Sequence, residues 1–210
     1  MRIHPPNRRL GILLSGRGSN FEAIANHIES GQLNAEIAVV ISNIESAPGL
    51  ESARRRGLKT RFIPSRQRVR EEFDADVVAC LKEHDVGLVV LAGFMRIVSP
   101  VFVDAFPYGI LNIHPALLPA FPGLDVQKQA LDHGVKFSGA TVHFVSGTLD
   151  DGPIVQQAVV PVLDVDTPES LAARILKEEH RIYTEAIELV LSGRCERVGR
   201  RIVVKDLERS

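Results

Sequence analysis

The sequence predicts an α/β chain built on a doubly wound, mostly parallel sheet with an antiparallel edge. Three observations predict it. Short apolar runs alternate with helix-period segments from Leu10 to Leu91, the signature of βα units. The run Val86 to Leu91 is almost wholly apolar, as a strand covered on both faces must be. Two later extended segments, Ala140 to Val145 and Pro153 to Val162, are joined only by Ser146 to Gly152. That connection is too short for a parallel crossover, so the pair is antiparallel.

Leu10 to Leu14 is the first strand, and Ser15-Gly16-Arg17-Gly18-Ser19-Asn20 turns it into a helix with Phe21, Ile24, Ala25 and Ile28 on one face, closed by Gly31. Ile37 to Ile41 is the second strand. Pro48 to Arg56 is a helix stopped by Gly57, and Arg61 to Ile63 a short third strand. A polar helix follows, with Phe73, Val77, Cys80 and Leu81 as its buried stripe, before Val86 to Leu91. Gly109 to His114 is the next strand, ended by Pro115, which cannot donate to a ladder. Leu124 to Asp132 reads as a short helix ending at Gly134. After the antiparallel pair, Thr167-Pro168-Glu169 offers an N-cap, an N1 proline and an early acid. The stripe Leu171, Ile175, Ile182, Ala186, Val190 carries that helix to Gly193, and Arg197 to Val204 turns at Gly199 as a hairpin. The sum is a Rossmann-like order with right-handed crossovers.

At 210 residues, 45% hydrophobic and a net charge of -1, the chain suits one globular domain with a sizeable core. Near-neutral charge and 5% aromatics argue against a nucleic-acid surface. No apolar run approaches bilayer-spanning length, and the first residues lack a signal-peptide core. Cys80 and Cys195 form no disulfide or metal pattern and fit a reducing cytoplasm.

Three features carry chemistry. In a strand, residues two apart share a face, so Asn112 and His114 emerge together at the carboxyl end of their strand, where open α/β sheets bind ligands. A carboxamide beside an imidazole can stabilise an oxyanion and move a proton. Gly16-Arg17-Gly18-Ser19-Asn20 lies between the first strand and helix, where free N–H groups attract an anion. It is not a dinucleotide fingerprint, because Phe21 replaces the third glycine, nor a Walker loop, because Gly-Lys-Ser/Thr is missing. A small monophosphate pocket remains, with Ser19 and Asn20 adding side-chain donors; a glycine turn required only for its geometry is the alternative. Asp150-Asp151-Gly152-Pro153 is first a turn sequence. Together with His143, it can also supply a carboxylate that orients His114. A metal site built on the two histidines and this acid lacks a paired-ligand motif.

Ser15 to Asn20, Leu91-Ala92-Gly93-Phe94-Met95-Arg96-Ile97, Leu111 to Pro119 and Leu149 to Pro153, in this order, resemble the folate-dependent formyltransferases over about residues 9–192. Among these the Gly-Ser-Asn turn favours the branch that formylates phosphoribosylglycinamide, the third step of de novo purine synthesis. The resemblance implies a single formyltransferase-fold domain over 1–210, with a short N-terminal extension and a C-terminal hairpin and tail. It implies 10-formyltetrahydrofolate as cosubstrate, no bound cofactor or metal, and a cytoplasmic monomer or homodimer without nucleic-acid or membrane partners.

By the same resemblance Asn112, His114 and Asp150 are catalytic, and Gly18, Ser19, Asn20 and Glu179 bind the acceptor. Arg70, Met95, Arg96, Ile97, Val98 and Asn112 meet the folate, with Arg70 at its glutamate tail; a solvated helix face beside Glu71 and Glu72 is the plainer reading of Arg70. The family's Leu-Asp-x-Gly pattern selects Asp150 over Asp151, with Leu149 expected to bury its side chain and anchor the loop. Two departures stand out: Ala116 where a serine is usual, and Gly147 where an acid is frequent. The rival readings are a 10-formyltetrahydrofolate hydrolase, another folate-dependent formyltransferase, and a non-catalytic nucleotide sensor.

Overall fold

In the computed structural model, which describes residues 1–107 and 109–205, seven strands form one sheet in the order β3-β2-β1-β4-β5-β6-β7. They are β1 (Arg9–Leu14), β2 (Glu36–Ser42), β3 (Thr60–Phe62), β4 (Leu88–Leu91), β5 (Ile110–His114), β6 (Phe137–Phe144) and β7 (Ile154–Pro161). The first five run parallel, while β6 and β7 pair antiparallel. Chain order reverses between β1 and β4, which makes their carboxyl ends a topological switch point.

The side-chain period of two divides each strand between two cores. Leu10, Ile12, Leu14, Leu88, Val90, Leu111 and Ile113 pack with α1 (Ser19–Glu29), α2 (Pro48–Arg55), α5 (Val126–Asp132) and α6 (Pro168–Leu191). Leu13, Val39, Ile41, Val89, Leu91 and Ile110 pack with α3 (Arg70–Glu83) and α4 (Pro100–Ala105). Asn112 and His114 share the parity of Ile110, so they belong to the α3/α4 face. Thr167 caps α6 in a reciprocal box with Ser170, and the buried Tyr183 hydroxyl reaches the carbonyls of Leu91 and Leu111, both at 3.0 Å. α6 is thereby tied to the two strands that carry the site.

A small hairpin, β8 (Cys195–Val198) with β9 (Arg201–Val204), completes the fold; the tail expected after it lies outside the described residues. Several bounds differ from the sequence reading: β3 lies one residue earlier, β4 starts two residues later at Leu88, and the hairpin starts two residues earlier at Cys195. α5 starts at Val126 rather than Leu124, because Asp125 takes a left-handed φ of 54°. β6 begins three residues early, at Phe137. The six-residue α4 was not anticipated; Ser99 is its N-cap, and the buried Asp74 of α3 accepts from the Ser99 amide at 2.5 Å. Among the described residues no helix is long and apolar enough to cross a membrane.

Candidate active site

The β5–β6 register explains how the site is assembled. Asn112 lies opposite His143, and His114 opposite Thr141; directly opposed residues share a face. Asn112 Nδ2 is 3.2 Å from His143 Nε2, while His143 Nδ1 is 3.0 Å from the carbonyl of Phe144. A carbonyl only accepts, so Nδ1 carries the proton and the Nε2 of the neutral ring accepts from Asn112. Burial pushes the His143 pKa down, outweighing the Phe144 carbonyl and the Asp150 carboxylate 3.8 Å away. The carboxamide is thus fixed with one N–H on His143 and its other N–H free of any partner among the described residues.

His114 is buried, and its Nε2 lies 2.8 Å from the Phe121 carbonyl, while Nδ1 faces Asp150 Oδ2 at 3.4 Å. Both ring nitrogens therefore face oxygen atoms that can only accept. The same Asp150 oxygen accepts from the Gly123 amide at 3.0 Å. The 115–125 loop is held by Thr141, whose hydroxyl donates to the Ala116 carbonyl at 2.7 Å and accepts from the Leu118 amide at 3.0 Å. Sequence reasoning missed the Phe121 carbonyl and the Gly123 amide. The Pro122-Gly123 pair is a turn signal, but it does not say which backbone groups face the site.

The two aspartates diverge. Asp150, at a left-handed φ of 49°, turns inward, whereas Asp151 turns outward to Arg200. Gly152 must lack a side chain: a Cβ there would lie 1.6 Å from the Phe144 carbonyl oxygen. Leu149 does not anchor this loop as expected, being 51% exposed; polar contacts of the neighbouring aspartates hold it. At Gly147 an added Cβ would meet only open space, and Ala116 is fully buried.

The phosphate turn follows β1, with Gly18 as N-cap of α1 at φ 76° and no side-chain cap. The first-turn amides of Ser19, Asn20 and Phe21 precede the first intrahelical bond, from Glu22 to the Gly18 carbonyl. Asn20 departs from expectation: its Nδ2 donates to Glu179 Oε2 at 2.7 Å rather than entering the turn, and Oδ1 is buried without a partner among the described residues. Burial raises the Glu179 pKa, against the lowering effect of that hydrogen bond.

Residues 93–98 leave β4 between these two centres. The Met95 amide donates to Ser15 Oγ at 2.9 Å, and Ser15 Oγ donates to Asn43 at 2.6 Å. Phe94 stacks on Phe73 with centroids 6.3 Å apart, and the Arg96 guanidinium sits 5.0 Å over the same ring. Met95 and Ile97 are 72% and 53% exposed, while Val98 is buried, so this loop presents apolar surface beside Asn112. Arg70 is not drawn into the cluster. It opens α3 with its side chain 45% exposed and Glu71 at 3.5 Å.

A family model described as formyl transferase matches residues 8–187. Escherichia coli phosphoribosylglycinamide formyltransferase is 41% identical over 186 residues, 88% of each chain. The trifunctional purine biosynthetic protein adenosine-3 of Gallus gallus is 45% identical over 91% of this chain, which spans only 19% of that relative's length. Among solved structures, glycinamide ribonucleotide transformylase 1 from Symbiobacterium toebii superposes with a TM-score of 0.93 at 50% identity, covering 95% of both chains.

Proposed function

The chain belongs to the formyl transferase family, and from that premise we propose that it transfers a formyl group from 10-formyltetrahydrofolate to the amine of phosphoribosylglycinamide in purine biosynthesis. One observation carries the choice of acceptor. An uncapped helix N-terminus built for an anion stands two strands from the Asn112/His114 pair, roughly 10 Å at ordinary strand spacing. A phosphorylated amine can bridge the two.

In this reading the Ser19 and Asn20 amides hold the acceptor's phosphate, with Gly18 shaping the turn. The unpartnered Asn20 Oδ1 and Glu179 accept from ribose hydroxyls. The folate lies on Met95, Arg96, Ile97 and Val98. The neutral amine attacks the formyl carbon, and the resulting oxyanion is stabilised by the free N–H of Asn112 and by His114, whose Nε2–H turns from the Phe121 carbonyl to the oxyanion. Asp150, facing His114 Nδ1 at 3.4 Å, takes the proton the amine gives up and relays it through water to the departing folate nitrogen. No step needs a metal. We read 1–210 as one catalytic domain with its core at 9–192, acting in the cytoplasm on small molecules as a monomer or homodimer.

The test is a formyl-transfer assay on the purified protein. Folate turnover should require the ribonucleotide and yield its formylated product; acceptor-independent release of formate would instead make the protein a hydrolase. Two variants probe the binding sites. Asn20→Ala should raise the acceptor KM by about two- to tenfold, the worth of one hydrogen bond to a ribose hydroxyl, and leave folate affinity unchanged when each ligand is titrated separately. Equal losses for both ligands would remove the assignment. Arg70→Ala should raise the folate KM several-fold at most, since exposed ion pairs contribute about 0–1 kcal/mol, with a larger effect for a polyglutamylated folate. An unchanged KM for every folate returns Arg70 to the solvated face.

A further inference from the structure

The loop that carries Asp150 is gripped from outside by the tip of the C-terminal hairpin. Arg200 follows Gly199, which makes the β8–β9 turn at φ 62°. Its guanidinium forms a fork on Asp151, with Nη2 2.8 Å from Oδ1 and Nη1 3.2 Å from Oδ2. Nη2 also donates to the Asp151 backbone carbonyl at 2.8 Å. The carbonyl contact fixes the chain itself, one residue from Asp150. The arm behind the fork is well braced. Cys195 at its base is fully buried, the Ile3 amide donates to the Cys195 carbonyl at 2.9 Å, and the Arg197 amide donates to the Met1 carbonyl at 2.9 Å.

We propose that Arg200 is a positioning residue: by holding Asp151 it keeps the 146–152 loop closed with Asp150 aimed at His114. This rests on the reading of Asp150 as the acid–base partner of His114. Asp150 occupies a left-handed backbone conformation that a free loop would leave readily, and with Leu149 exposed no apolar side chain of its own pins the loop. A bidentate guanidinium fork supplies geometry as well as charge. The Asp151 carboxyl is held below its usual range, chiefly by its hydrogen bond to Arg200, so the grip persists through neutral pH.

The experiment compares wild type, Arg200→Ala and Arg200→Lys by steady-state kinetics and by hydrogen exchange of the loop amides. Arg200→Ala should lower kcat by about two- to five-fold, the range of an exposed ion pair, leave KM for both substrates unchanged, and speed exchange at 147–152. Arg200→Lys, which keeps the charge and loses the fork, should recover part of both. Raising salt from about 0.1 to about 1 M, which shortens the screening length from about 10 to about 3 Å, should move wild-type kcat toward that of Arg200→Ala. Wild-type exchange in Arg200→Ala overturns the grip. Faster exchange with unchanged kcat overturns the positioning role, and a raised folate KM alone would make Arg200 a ligand contact instead. If wild type transfers no formyl group, the functional reading fails, while the exchange arm still decides whether Arg200 holds the loop.

Discussion

Asp150→Asn is expected to lower kcat by about 10²- to 10⁴-fold, the usual worth of a positioned acid–base group, and Asp151→Asn by a few-fold at most. The two residues are sequence neighbours, so the comparison holds local chain composition nearly constant. Asp150 Oδ2 is bonded to the Gly123 amide and lies 3.4 Å from His114 Nδ1, and Oδ1 lies 3.8 Å from His143. An amide at this position keeps the shape and one acceptor oxygen. It removes the negative charge that faces the His114 ring and the group that relays the proton. Among the described residues Asp151 pairs only with Arg200, and Asp151→Asn keeps the contact from Arg200 to the backbone carbonyl. Steady-state kcat and KM for both variants, with unfolding midpoints to confirm native folding, decide the matter. Interchanged outcomes would move the catalytic role to Asp151, and a full-rate Asp150→Asn would sink the proton relay.

What the sequence made legible was local periodicity and its punctuation. β4 was readable because both of its faces are buried, and α6 because Thr167-Pro168 announces its start and Gly193 its end. The Asn112/His114 pair needed only the period of a strand and the proline that ends it. Contacts set by register were not readable. That Asn112 opposes His143 follows from β5–β6 pairing across the whole 115–136 connection, and no local signal encodes that distance. The helix α4 is six residues long, too short for a helical period to show. The anchoring of the Asp150 loop was assigned to Leu149, on the general tendency of leucine to be buried. The structure uses Arg200 instead, some fifty residues away in sequence, because the hairpin tip stands beside Asp151. The direction of the Asn20 side chain was misjudged for a similar reason: its partner Glu179 comes from the far end of the chain.

Asn112→Asp should cost about 10²- to 10³-fold in kcat, the usual loss of one oxyanion donor, with the acceptor KM within a few-fold of wild type. The substitution is nearly isosteric, but it replaces the free N–H with an acceptor and sets a negative charge where the oxyanion develops. The pH dependence adds a second readout. In wild type the donor is aimed by neutral His143, whose pKa burial has lowered from the usual value of about 6.5. The folded state favours the neutral ring, so this arrangement is complete above that usual value and is lost as pH falls through the lowered one. Once Nε2 takes a proton it cannot accept from Asn112, the carboxamide is released, and kcat should decline on the acid side. In Asn112→Asp the new carboxylate favours the protonated ring, so His143 should titrate at higher pH than in wild type. Proton-resolved NMR titration of His143 in both proteins, alongside the kcat profiles, checks the two halves separately. A near-wild-type kcat for Asn112→Asp would remove Asn112 as the oxyanion donor, and an unshifted His143 titration would break the link between the two side chains.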